Sequence, residues 1–277
     1  MSSSFPSEPP YSSRNPPPNN RQLLTLLGLF VGFVICVIWL LGLLADSLIG
    51  WIPPSAERQL GAVFVPSFER LAKPSPAQDT LNQLLERLET KLPAQQRKER
   101  NYRVLYVPDS KVNALALPGD AIVIYSGLVA GAKSENELMM VLGHELGHFA
   151  HRDHLRSLGR TLLLKIAIAY FIGDADWLRS TAAASVEAVS RSHYSQSQET
   201  QADEFGLTLL QQTYGHVAGA TDFFAGLMEK RNTNLAFLST HPAPGDRVAK
   251  LELLIKQKNY GVGARSPLPA TLAQQKS

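Results

Sequence analysis

Hydrophobic and polar positions divide the chain into stretches of different period. From Gln22 to Ala45 no residue is charged and Leu, Val, Ile and Phe dominate, a run longer than the ~20 apolar residues a helix needs to cross a bilayer. Residues 47–78 are then interrupted by Pro53, Pro54, Pro66, Pro74 and Pro76 around one helical stretch near Ser55–Phe64. Ser75-Pro76 opens a helix in which Leu81, Leu84, Leu85, Leu88 and Leu92 recur at helical spacing, predicting one core-facing side that ends before Pro93. Between Arg103 and Tyr125 the pattern turns to β. It predicts a strand over Val104–Val107, then a hairpin with arms Val112–Leu117 and Ala121–Tyr125 around Pro118-Gly119-Asp120.

Helical spacing returns at Ser134-Glu135-Asn136-Glu137, which reads as a capping box ahead of an apolar surface that includes Leu138, Val141, Leu142 and Phe149. Thr161–Gly173 is apolar, but short and interrupted by Lys165, so a buried helix fits it better than a second span, with contact to a bilayer as the alternative. Another helical stretch lies near Trp177–Ser192, and Ser195–Gly206 reads as a helix carrying acidic residues. The expected fold class is α+β, mainly α, with a small antiparallel sheet, preceded by one transmembrane helix.

Composition changes the picture at the two ends. Residues 1–21 contain Pro6, Pro9, Pro10, Pro16, Pro17 and Pro18 among serines and asparagines, a mixture that cannot bury enough apolar surface to offset chain entropy, so a disordered tail is expected. Beyond Lys256 the chain becomes rich in Gly, Pro and Gln, and a mobile tail is expected over 261–277. The organisation is thus tail 1–21, anchor 22–45, one domain over 46–260, and tail 261–277. The apolar run exceeds a usual signal-peptide core and no clear small-x-small site follows it, so the anchor is read as uncleaved. Arg14 and Arg21 precede it, whereas Asp46 follows and the next basic residue is Arg58. That bias places the N-terminus in the cytoplasm and the large domain on the periplasmic or equivalent outer side.

A net charge of +3 without a basic groove argues against nucleic acid as a partner. The one cysteine, Cys36, lies in the apolar run, so the domain has no intrachain disulfide and no thiolate metal site. Cysteine-protease and zinc-finger chemistry are excluded with it.

The candidate chemistry begins at His144-Glu145-Leu146-Gly147-His148. Two histidines four apart on a helix project from one face and can ligate Zn²⁺ through neutral nitrogens, with the glutamate placed to take a proton from a metal-activated water. A catalytic zinc takes a third protein ligand, usually from another element. His151, His154, His193, Glu199, Asp203 and His241 are the candidates. His151 and His154 better suit a structural place near the helix C-terminus. Glu199 and Asp203 are four apart: one carboxylate can ligate the metal while the other accepts a hydrogen bond from a ligand imidazole, although spacing alone fits a solvated acidic face equally well. The strand edges of the hairpin offer a place for an extended polypeptide to pair.

From about Ser55 to Leu254 the chain resembles the M48 family of membrane-associated zinc metallopeptidases. The resemblance rests on Asn113-Ala114-Leu115-Ala116-Leu117-Pro118-Gly119, the His144 motif, Glu199-x-x-Ala202-Asp203-x-x-Gly206, and Ser239-Thr240-His241-Pro242 with Arg247. It implies a zincin-like domain holding one Zn²⁺ per chain through His144, His148 and Glu199, with Glu145 as general base and Asp203 hydrogen-bonded to a ligand. His241 and Arg247 would lie at the active-site cleft, His241 suited to donating a hydrogen bond to the oxyanion of amide hydrolysis. Gln196 and Gln198 stand where relatives often carry arginine, and the single span favours single-anchor members over many-span ones. The reading is a membrane-anchored zinc endopeptidase acting on unfolded or damaged envelope or membrane proteins, in protein quality control. A non-hydrolytic chaperone or scaffold using the same groove, or a regulated protease held latent, is the alternative.

Overall fold

The computed structural model describes residues 18–159, 193–229, 236–241 and 244–274. The chain divides into two units between Leu44 and Ala45. The first is most of α1 (Asn20–Ile49), whose Leu24, Phe33 and Trp39 side chains are exposed. Its 25-residue apolar part, Asn20–Leu44, is about 37 Å long at 1.5 Å per residue, enough to cross the ~30 Å hydrocarbon layer.

In the second unit, α2 (Pro54–Leu71) runs on through Pro66, past the expected end near Phe64. An interior proline forfeits one backbone bond. Burial of Phe64, Val65 and Phe68 against one face of the sheet offsets that loss. α3 (Pro76–Glu89) starts where Ser75 accepts a hydrogen bond from Gln78 N, and it buries Leu81, Leu84, Leu85 and Leu88 as their spacing predicts. A short α4 (Ala94–Glu99) leads into the sheet.

The strands are β1 (Arg103–Val107), β2 (Ala114–Leu117) and β3 (Ala121–Tyr125), in the order β1-β3-β2. The expected hairpin is present: β2 and β3 pair antiparallel, Leu115 opposite Val123, and Gly119 and Asp120 take φ of 87° and 63° in the turn. The sheet is mixed rather than wholly antiparallel, because β1 joins β3 in parallel. Ala-Ile-Val-Ile-Tyr has no polar face, and a strand apolar on both sides belongs in the middle of a sheet. β3 therefore separates β1 from β2, with Ile122 and Ile124 facing the main core and Val123 and Tyr125 facing α2. The outer edge of β1 is covered by α3: Val104 N donates to Asn82 Oδ1 (2.8 Å) and Tyr106 N to Gln78 Oε1 (3.0 Å).

After α5 (Ser126–Gly131), Ser134 caps α6 (Glu135–Ala150), and Glu137 Oε2 accepts from Lys133 N. α6 is buried on nearly every side between the sheet and α7 (Gln196–Tyr214). Small residues set that crossing. A Cβ on Gly147 would lie 2.7 Å from Ala202 Cα, and one on Gly206 would lie 2.9 Å from His144 N. The two backbones touch, so side chains on the facing turns meet.

α8 (Asp222–Glu229), α9 (Ala236–Thr240) and α10 (Pro244–Gln257) close the domain on the α7 side. The tail expected to be mobile from Gly261 lies along the domain instead. Gly261 O accepts from Val217 N, Ser266 O accepts from Glu135 N at the start of α6, and Leu272 in α11 (Ala270–Ala273) is fully buried. Its few leucines suffice to dock it. The helices expected over 161–173 and 177–192 lie outside the described residues.

Candidate metal centre

One turn of α6 places His144 and His148 on the face turned to α7. Their Nε2 atoms are 3.1 Å apart. Glu199, on the first turn of α7, brings Oε2 to 3.7 Å from His144 Nε2 and Oε1 to 3.5 Å from His148 Nε2. His241, just past α9, places Nδ1 3.3 Å from His144 Nε2 and 2.9 Å from Glu199 Oε1. A tetrahedral ion with zinc-like bonds of 2.0–2.1 Å would hold its donor atoms about 3.3 Å apart. The four residues, all buried, thus form a cluster able to hold a metal ion.

The remaining ring nitrogens are held by carboxylates. His144 Nδ1 lies 2.9 Å from Asp203 Oδ1 and His148 Nδ1 lies 3.0 Å from Asp153 Oδ2. An ionised carboxylate only accepts, so in the neutral form of each imidazole Nδ1 carries the hydrogen and the Nε2 lone pair is left for the cluster. Arg247, buried on α10, grips Asp203 through Nε (2.8 Å) and Nη2 (2.6 Å) and reaches Glu199 Oε2 through Nη1 (2.6 Å). Its guanidinium stacks 4.0 Å over the Phe224 ring.

These contacts set the charges. Burial pushes the Glu199 carboxyl up, yet His241 and Arg247 together hold it well below the usual carboxylate range. Asp203 is lowered in the same way, chiefly by Arg247 against the effect of burial. Burial, reinforced by Arg247, lowers His144. For His148 burial acts in the same direction, but the bonds to Asp153 and Glu199 overcome it and raise the imidazole to about 9.

Glu145 is fully buried beside the cluster, and neither carboxylate oxygen has a hydrogen-bond partner among the described residues; His241 Nε2 is 3.8 Å from its Oε1. A bare buried carboxylate is costly.

Residues 76–255 match the family model described as Peptidase family M48. The chain belongs to peptidase family M48. Similar proteins include Metalloprotease LoiP of Escherichia coli, 35% identical over a stretch covering 53% of this chain and 59% of that protein. The putative beta-barrel assembly-enhancing protease of Vibrio cholerae is 31% identical, over 51% of this chain and 32% of its own length. The human mitochondrial metalloendopeptidase OMA1 is 28% identical, over 56% and 32% respectively. The chain thus spans between about a third and three fifths of the relatives it matches.

In this M48 domain all seven residues singled out from the sequence meet: His144, Glu145, His148, Glu199, Asp203, His241 and Arg247. The other histidines stay apart from the cluster. His151 caps α6 through Gly147 O, His154 pairs with buried Glu57, and His193 is exposed.

Two neighbours of the site escaped sequence reasoning. Asp153, fully buried, also accepts from the Gln198 amide (2.9 Å). The departure at Gln198 thus acquires a contact, and Gln198 also completes the capping box with Ser195. Tyr194 stacks on the His148 ring at 3.8 Å. The one signal for Asp153 was a carboxylate soon after the second histidine, and nothing in its spacing shows that the chain turns back there.

Proposed function

We propose that this chain is a membrane-anchored zinc endopeptidase in which His144, His148 and Glu199 hold one Zn²⁺. The observation that carries the reading is the convergence of those three donors beside a buried, unpartnered Glu145. Two imidazoles and a carboxylate without thiolate are a donor set that suits zinc and leaves a position for water. Bound there, Zn²⁺ supplies Lewis-acid polarisation of a peptide carbonyl and makes a water nucleophilic near neutral pH. Glu145 takes the proton of the attacking water and delivers it to the leaving amine. Asp203 and Asp153 hold the two imidazoles in the ligating tautomer, and Arg247 fixes Asp203 and balances the charge of Glu199.

The substrates proposed are unfolded or damaged envelope or membrane polypeptides, a reading that rests on the family alone. With β1 covered by α3, an extended substrate is assigned to the side of β2, the outer strand that packs against α6. The helix Asn20–Leu44 serves as the anchor, and Arg14 and Arg21 before it against Asp46 after it support a cytoplasmic N-terminus.

The test is zinc content together with casein hydrolysis for the wild type and Glu145→Gln. Equal zinc, about one per chain, with hydrolysis only by the wild type supports the assignment. Zinc without hydrolysis in either protein sinks the constitutive enzyme and favours a scaffold or a latent protease. The place of His241 favours latency over a scaffold, since its Nδ1 completes a four-donor set and so competes with water. His241→Ala separates its two roles. Activity rises if the imidazole closes the metal, and falls about 10²-fold if it stabilises the oxyanion.

A further inference from the structure

α6 ends in a turn that does more than stop a helix. His151 caps it, Arg152 takes φ of 58°, and a new helical turn begins at Asp153. The three residues 152–154 point in three directions. Asp153 holds His148 Nδ1. His154 places Nδ1 3.3 Å from the His148 carbonyl oxygen and Nε2 2.7 Å from Glu57 Oε1. Arg152 donates to the carbonyl oxygens of Ile49 (3.0 Å) and Ile52.

Ile49, Ile52 and Glu57 all lie in the short segment that follows the apolar helix Asn20–Leu44. Glu57 is fully buried, its Oε1 also contacts Arg100 Nη1 (2.7 Å), and the same Nη1 reaches buried Asp120 (2.8 Å). Glu57 Oε2 has no hydrogen-bond partner among the described residues. A buried ionic network with an unsatisfied oxygen is a poor way to gain stability, since apolar packing would serve at least as well. What it supplies is a fixed place for His154.

We propose that Glu57 is a positioning residue for the metal centre: with Arg152 it clamps the 152–154 turn to the segment 49–57 and thereby, through Asp153, sets the orientation of His148. The metal centre is then coupled to the segment 49–57 without any residue of that segment touching the cluster. A left-handed non-glycine residue holds its conformation only when its surroundings impose it. Arg152 is held by the two carbonyls it grips. If the clamp loosens, Asp153 moves, and His148 loses the partner that fixes its tautomer. Loss of such a partner weakens metal affinity by about 10- to 100-fold.

The experiment uses the full chain in detergent. Zinc release to a graded chelator and the absorption spectrum of the cobalt-substituted protein are compared for wild type, Glu57→Ala, Glu57→Gln and Arg152→Met, at a temperature where circular dichroism shows each folded. Leu272→Ala, a core truncation distant from the turn, controls for loss of stability alone. With His148 a ligand, as proposed above, Glu57→Ala and Arg152→Met give up zinc about 10-fold more readily and shift the cobalt bands. Glu57→Gln, which keeps an acceptor for His154, falls between them and wild type, and Leu272→Ala matches wild type.

Wild-type zinc affinity and cobalt spectrum in both Glu57→Ala and Arg152→Met overturn the coupling even if both melt lower. Should Glu57→Ala fail to fold, Glu57→Gln and Arg152→Met decide by the same criterion. A wild type that binds no zinc refutes the metal reading itself, an outcome distinct from normal affinity in the variants.

Discussion

The two histidines of α6 are one helical turn apart, yet their surroundings are built differently. His144 is held from afar: Asp203 comes from α7 and Arg247 from α10, and burial lowers the imidazole with the arginine's positive charge reinforcing it. His148 is held largely from nearby: Asp153 follows it by five residues, and its bond, with that of Glu199, overcomes burial and raises the imidazole to about 9. The two imidazoles of one candidate site are thus shifted in opposite directions. Tertiary packing secures the first, and a local turn secures the second.

The largest effect is expected where both surroundings depend on one contact. Gly206→Val forces a branched side chain against the His144 backbone nitrogen and separates α6 from α7. It should cost about 3 kcal/mol or more, read as a lowered urea midpoint, and it should abolish metal binding at both histidines. Next is Arg247→Met, which leaves Asp203 and Glu199 buried without their countercharge. A loss of about 3–5 kcal/mol is expected in the zinc-free protein, and added zinc should restore part of it in thermal melts.

The clamp behind the His148 side should be sensitive to acid. The Glu57 carboxyl is pushed up by burial but brought down to about 2 by His154 and Arg100. A depressed carboxylate contributes stability that is complete above its unfolded value near 4.3–4.5 and is lost as the pH falls through its folded value. Between about pH 5 and pH 2 the domain should therefore lose on the order of 2–3 kcal/mol through this group. In Glu57→Gln that part of the slope should be missing from a pH series of denaturation midpoints. The smallest effect is that of Asp153→Asn, which should weaken zinc binding about 10- to 100-fold while leaving the His144 side, the fold and the Asp203–Arg247 pair in place. If Asp153→Asn and Asp203→Asn weaken zinc equally and destabilise the zinc-free domain equally, the contrast between local and distant support fails.

What the sequence disclosed follows the same division. The His144 motif and both arms of the hairpin were legible because each is a short pattern whose period fixes a shared face, whereas the Glu199 and Asp203 pair, whose spacing fits a solvated face equally well, was legible only beside the His144 motif and the family resemblance. Asp153 was not, since its place depends on Arg152 adopting a left-handed conformation that its residue type does not announce. The parallel pairing of β1 was hidden because a strand's neighbour depends on which run lacks a polar face, a property of β3 rather than of β1. Pro66 and the Gly- and Pro-rich end misled for a common reason. Local propensity favours a break in both places, and burial of Phe68 and of Leu272 outweighs it.

The two amide side chains that α3 lays along β1 have a consequence beyond the fold. Gln78 and Asn82 act as a counterfeit strand, answering the outward N–H groups of Val104 and Tyr106. Another chain meeting that border finds donors already taken, so cross-β growth stops there. A molecule proposed to handle unfolded polypeptides is thereby shielded, on that side, from being enrolled in their aggregates.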